Sequence, residues 1–207
     1  MPSMIDAYDV TRFDRTEREL QEYLMFCLAV AGKKATVIAS KLNELLTPMQ
    51  PGEDPFSYVL RLQSHGLLEA ELMRVRMGKY SLLRHAYPTI AMRFSGRLSS
   101  VPISELETVK GIGPKTARYF ALHSRARPGD IAVIDTHVMK YLRHLGHPVP
   151  DRLPTRSNYR RLENLMIAAA RSSGMGMADF DLAVWSHYAS GGKTPLPSLE
   201  QHGALAA

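Results

Sequence analysis

The run Gly111-Ile112-Gly113-Pro114-Lys115-Thr116-Ala117 constrains this chain more than any other stretch, because it forces two helices to meet across a very short turn. Ser104 and Glu107 match an S-x-x-E capping box, so Leu106 to Lys110 reads as a short helix, and Gly111 sits where a helix stops. Pro114 suits the first turn of a second helix, where its missing N–H costs nothing. The two glycines permit the tight turn and carry no side chains. Their backbone N–H groups are therefore expected to approach a phosphate oxygen at a helix N-terminus. The segment reads as a helix-hairpin-helix, and twenty residues beyond its lysine stands Ile134-Asp135-Thr136-His137.

Helical signals cover most of the remaining chain, and the expected fold class is all-α. Thr16 and Glu19 form a second capping box ahead of Leu20, Leu24, Cys27, Leu28 and Ala31, which recur at helical spacing. Further helices are expected over 35–46, from the Asp54-Pro55 cap to about His65, over 67–75, over 80–92, over 136–145, near 157–171 and near 178–189. Thr47-Pro48 and Pro51-Gly52 break the chain between two of them. Arg125 to Asp130 is a turn-rich connector. Ile131 to Ile134 reads either as a short strand or as the segment that sets Asp135 at the cap of the next helix. Residues 191–207 are expected to form a loose Gly/Pro-rich tail.

Composition narrows the functional classes. With 26 Lys+Arg against 20 Asp+Glu the chain carries a net charge of +6, which suits a polyanionic partner and also suits many ordinary basic proteins. No stretch approaches the roughly 18–20 uncharged apolar residues of a membrane span, and no secretory signal pattern opens the chain. A cytoplasmic or nucleoid-associated protein with no membrane partner, acting as a monomer, is expected. The single cysteine, Cys27, rules out a disulfide framework and a four-cysteine iron–sulfur site. It reads either as a buried structural cysteine or as a reactive thiol. The eight histidines show no zinc-site spacing, so neither a metal nor any other cofactor is expected.

GIGPKTARYF followed by IAVIDTHVMKYL resembles the catalytic core of the helix-hairpin-helix (HhH-GPD) DNA glycosylase superfamily, which includes endonuclease III and the 8-oxoguanine glycosylases. The lack of a cysteine cluster makes the chain similar to the short, cluster-free 8-oxoguanine DNA glycosylase/AP lyases. The resemblance implies two helical lobes flanking a groove, one of about residues 35–145 and the other of residues 1–34 plus 146–190. It also implies that Lys115 is the nucleophile and Asp135 the essential carboxylate. The partner is then double-stranded DNA holding a damaged base. Two alternatives stay open: a glycosylase for oxidised pyrimidines, and a non-catalytic helix-hairpin-helix DNA-binding protein.

Each implied residue has a plainer reading. Lys115 is either a phosphate-contacting point charge or an amine that attacks the anomeric carbon as the base departs, forming a Schiff base that permits elimination of the 3′ phosphate. A lysine attacks in its neutral form, which desolvation and neighbouring cations favour; Lys110 and Arg118 are the cations expected beside it. Asp135 is an N-cap and, compatibly, a carboxylate that stabilises positive charge on the sugar. Lys110, Gly111, Gly113 and His137 are the expected DNA-binding residues, although His137 also reads as an ordinary polar residue. Tyr119, one helical turn beyond Lys115, is expected either to stack on a flipped base or to pack in the core. Phe180, Asp181 and Trp185 are base-pocket candidates with the same alternative, and the turn Val30 to Lys34 supplies a backbone approach point and positive charge.

Overall fold

The structure, a computed structural model, describes residues 5–152 and 154–197. Every regular element among them is an α-helix. The chain divides into two compact units, one ending at Ala126 and the other beginning at Arg127.

The first unit holds α1 (Glu17–Val30), α2 (Ala35–Leu46), α3 (Pro55–Ser64), α4 (Leu68–Arg74), α5 (Tyr80–Phe94), α6 (Ile103–Leu106) and α7 (Pro114–Ser124). The capping box that opens α1 is complete: Glu19 N–H donates to the Thr16 side chain, and the Glu19 carboxylate accepts from Thr16 N–H at 2.8 Å. Asp54 caps α3 through Phe56 and Ser57 N–H, both at 3.0 Å, with Pro55 in the first turn. α5 carries Pro88 in its interior and so lacks one ladder bond; burial of Leu83, Ala86, Tyr87, Ile90, Ala91 and Phe94 holds it in place.

Every residue of α1 from Leu20 to Ala29 is buried. A helix covered on all sides needs neighbours on all sides, and α2, α3, α5 and α7 supply them. This differs from the grouping implied by the resemblance, which set residues 1–34 apart with the C-terminal segment. α1 is instead the central helix of the first unit.

The start of the hairpin also differs from expectation. α6 opens after Pro102 and ends at Leu106, so Ser104 lies inside it rather than capping it. Leu106 to Lys110 is a succession of turns closed by three-residue bonds, Val109 N–H to Leu106 carbonyl at 3.1 Å and Ile112 N–H to Val109 carbonyl at 2.9 Å. The Glu107 carboxylate, which the capping pattern would have turned back on Ser104, accepts from Arg118 at 2.6 Å instead. A charge-assisted bond of this kind outweighs a cap on a helix of one turn.

The second unit contains α8 (Thr136–His144), α9 (Arg156–Ser172) and α10 (Met177–Ala189). Its core joins Ala132, Ile134, Val138, Tyr141, Leu142, Tyr159, Leu162, Met166, Phe180 and Val184. The chain beyond Gly191 is tied down where it is described: Thr194 N–H donates to Ser190 Oγ at 3.2 Å, and Leu196 packs against this core. The expectation of a loose tail therefore fails for 191–197, because an apolar side chain and a hydroxyl partner anchor it. The rest of that tail, 198–207, lies outside the described residues. No helix among the described residues is long and apolar enough to cross a membrane.

Candidate functional site

In the hairpin the two glycines do different work. Gly111 has φ +102, in the region that favours glycine, and a Cβ there would stand 2.7 Å from Leu82 Cδ1. Gly113 is extended, φ −88 and ψ 179, with nothing within 4 Å of an added Cβ. Only Gly111 is required by the turn; Gly113 leaves open space beside the start of α7. That helix begins at Pro114 without a side-chain cap. An uncapped helix start presents N–H donors and a partial positive charge to an incoming anion. The turn is braced by Arg118, which pairs with Glu107 and also donates to the Pro114 carbonyl at 3.3 Å. Lys110 is exposed at its edge.

Lys115 occupies the second position of α7 and is half-buried. The cations expected beside it were Lys110 and Arg118, but the Arg118 charge is paired with Glu107. Lys79 and Lys33 are the basic residues that group with Lys115 electrostatically: burial pushes the Lys79 ammonium below its ordinary value, and the charges of Lys33 and Lys115 add to the effect. Lys79 is in the left-handed region with φ 52. Its Nζ donates to the carbonyls of Leu28 at 3.3 Å and Ala31 at 2.6 Å, closing the C-terminal end of α1 and fixing the turn that carries Lys33. Sequence reasoning missed Lys79. Its only local signal is the Gly78-Lys79 break before α5, whereas the contact that matters spans 48 residues.

Tyr119 lies on the α1–α7 contact. Its ring centroid is 6.2 Å from that of Tyr23 and 4.9 Å from that of His123, edge-on. It is partly buried against the first core, so its ring is fixed by packing. Cys27 is buried, and burial pushes its thiol pKa up. It is held protonated, which favours the structural reading.

Asp135 is in the second unit, at the N-cap of α8. Its Oδ1 accepts from His137 N–H at 2.8 Å and Val138 N–H at 2.9 Å. The preceding run Ile131 to Ile134 is buried but is neither helix nor strand. Buried backbone groups need partners, and here α9 provides them from side chains. Glu163 accepts from Ala132 N–H at 3.1 Å, and the Tyr159 hydroxyl accepts from Ile134 N–H at 2.9 Å and donates to the Ala132 carbonyl at 3.2 Å.

Of the remaining candidates, His137 and Trp185 come together. Their ring centroids lie 6.0 Å apart edge-on, and Tyr188 stacks on His137 at 6.4 Å. His137 Nδ1 is buried without a hydrogen-bond partner among the described residues, so aromatic neighbours orient this ring rather than a bond at Nδ1. Trp185 is 49% exposed and offers a face for stacking. Phe180 is fully buried, edge-on to Tyr141 at 5.7 Å, and fills the core; its proposed place in a base pocket gives way to packing. Asp181 is buried next to it in sequence.

No family model matches the chain. Among solved structures it is similar to the 8-oxoguanine glycosylase/lyase of Methanocaldococcus jannaschii in complex with a 15mer DNA containing 8-oxoguanine, at 18% identity and TM-score 0.64 over 91% of this chain and 89% of that one. A second structure of the 8-oxoguanine DNA glycosylase from that organism matches at 19% identity and TM-score 0.60, covering 86% and 81%. The 8-oxoguanine DNA glycosylase of Thermotoga maritima matches at 20% identity and TM-score 0.58, covering 87% and 84%. The chain therefore has the all-helical fold of these glycosylases.

Proposed function

We propose that this protein is a DNA glycosylase with AP lyase activity that removes an oxidised base, 8-oxoguanine foremost, from double-stranded DNA. One observation carries the reading: on a glycosylase fold, a half-buried lysine stands in the first turn of an uncapped helix, directly after a glycine hairpin open to a phosphate. The lysine cluster supports it, since grouped cations suit a polyanion. So does the Asp135 cap, whose carboxylate is held by backbone donors in the geometry of a fixed negative charge.

The chemistry follows from these groups. Lys115 Nζ bonds to C1′ of the sugar as the glycosidic C–N bond breaks and the base leaves with the electron pair. The amine proton is lost, and the sugar ring opens to a Schiff base. Removal of a C2′ proton then expels the 3′ phosphate. Asp135 stabilises positive charge on the sugar and assists proton transfer. Trp185 presents an aromatic face to an unstacked base, with His137 against its edge.

Duplexes each carrying one lesion test this reading. Excision is expected from the 8-oxoguanine duplex, with strand cleavage following. Excision confined to thymine glycol would assign an oxidised pyrimidine instead, and tight binding without release of any base would make the protein a non-catalytic hairpin DNA binder.

The hairpin's part is tested at Gly113. An added methyl there meets no protein atom and fits the backbone angles, so Gly113→Ala should cost at most about 1 kcal/mol of stability, the difference between glycine and alanine at an N-cap. Placed at the phosphate approach, it should weaken binding to damaged and undamaged duplexes alike, by about tenfold, and reduce the salt dependence of binding by about one phosphate contact. A loss restricted to one lesion would contradict this role.

A further inference from the structure

Among the groups that the proposed mechanism leaves unused, the most constrained are the buried polar side chains of α9 beneath the Ile131–Ile134 run. That run has no neighbouring strand among the described residues, although it is buried. Its alternate residues Ala132 and Ile134 enter the second core, and the N–H groups of those same two residues are taken by Glu163 and Tyr159. The Tyr159 hydroxyl is used twice, as acceptor from Ile134 N–H and as donor to the Ala132 carbonyl, so one oxygen fixes both ends of a three-residue span ending immediately before Asp135. Glu163 is held in turn by Arg160, which donates to its second oxygen at 2.9 Å and to the Asp130 carbonyl at 3.3 Å.

Asp135 is thus set from both sides. On its C-terminal side its own carboxylate is tied to the first turn of α8. On its N-terminal side the backbone of residues 132–134 is bonded by side chains of α9, and further back Ile131 N–H donates to the Gly129 carbonyl at 3.0 Å. We infer that Tyr159 is a positioning residue for Asp135, its hydroxyl holding the incoming backbone so that the carboxylate keeps its working place, with Glu163 as the second clasp. This rests on the proposed function, in which Asp135 acts on the sugar. A side chain acting this way touches neither DNA nor base. Removing it should slow the chemical step while leaving DNA affinity alone.

The experiment is a double-mutant cycle measured by single-turnover excision, on the lesion the wild type removes fastest, beside equilibrium binding to the same duplex. Tyr159→Phe keeps the ring in the core and removes only the hydroxyl. It should slow excision about 10- to 100-fold, the scale of a small misplacement of a reacting group, with DNA affinity unchanged. If Tyr159 acts through Asp135, adding Tyr159→Phe to Asp135→Asn should slow the reaction no further; a general loss of structure would slow both backgrounds by the same factor. Tyr141→Phe is the control. It removes another buried hydroxyl of the same unit, one without a hydrogen-bond partner among the described residues, and should leave excision unchanged. Wild-type rates for Tyr159→Phe, or equal slowing in both backgrounds, would overturn the role of Tyr159 while leaving the proposed function standing. Absence of excision by the wild type would overturn the proposed function and the role of Tyr159 with it, whereas an Asp135→Asn variant as fast as wild type would overturn the roles of Asp135 and Tyr159 while leaving base excision standing.

Discussion

Lys115→Gln is expected to abolish the covalent complex that borohydride traps between the protein and a DNA duplex bearing an abasic site. Borohydride reduces a Schiff base to a stable amine, and glutamine has no amine with which to form one. The substitution is mild in every other respect. Glutamine matches lysine in helix propensity, and Lys115 lies near the surface end of α7, away from the fully buried Ala117 and Phe120. The variant should therefore melt as the wild type does and should lose only the share of DNA affinity that one cation contributes. The neighbouring lysines make the result informative. Trapping by the variant at the wild-type level would move the nucleophile to another amine, with Lys79 and Lys33 as the first to examine, and would end the assignment of Lys115.

Asp135→Asn is expected to reduce base excision by about 10²- to 10³-fold while leaving the fold intact. The cap is made by one oxygen, Oδ1, which accepts both the His137 and the Val138 N–H. The amide oxygen of asparagine can accept the same two bonds, and asparagine caps a helix about as well as aspartate. What the substitution removes is the negative charge. A fixed charge aimed at a developing cation contributes chiefly in the transition state, so the loss should fall on the single-turnover rate rather than on DNA affinity. Near-normal excision would reduce Asp135 to a helix cap. A thermal melt of the same preparation keeps the two roles apart, because a cap lost outright lowers stability by about 0.5–2 kcal/mol, and a catalytic charge lost alone does not.

The elements that could be read from sequence are those whose determinants lie within one turn of each other. The Thr16–Glu19 box, the Asp54-Pro55 start and the Asp135 cap each join residues three or fewer apart, and all three form as expected. The same local rule misplaced α6, because Glu107 has a stronger partner eleven residues away in Arg118. Long-range contacts explain the other omissions. Lys79 reaches the end of α1 across 48 residues, and Tyr159 and Glu163 reach the segment before Asp135 across 25 and 31. None leaves a periodicity or spacing to detect. The place of α1 was illegible for a related reason: an apolar stripe says that a helix has a buried face, but the extra burial of Gln21 and Glu22 depends on neighbours that come much later in the chain. Phe180 and Trp185 show the limit most clearly. They are both aromatic and share one helix, yet one is fully buried and the other half-exposed, a difference fixed by the orientation of α10 against its own core.

The clasped run from Ile131 to Ile134 also limits how a chain of this kind can change over time. Ala132 and Ile134 supply both core side chains and the N–H groups that Glu163 and Tyr159 accept, so inserting or deleting one residue would bring the wrong N–H groups to those partners. Exchanging one apolar side chain for another of similar size would disturb none of those backbone bonds. The segment can therefore drift widely in composition while its length is held. In an alignment of divergent sequences, gaps should be excluded from the four residues that lead to Asp135.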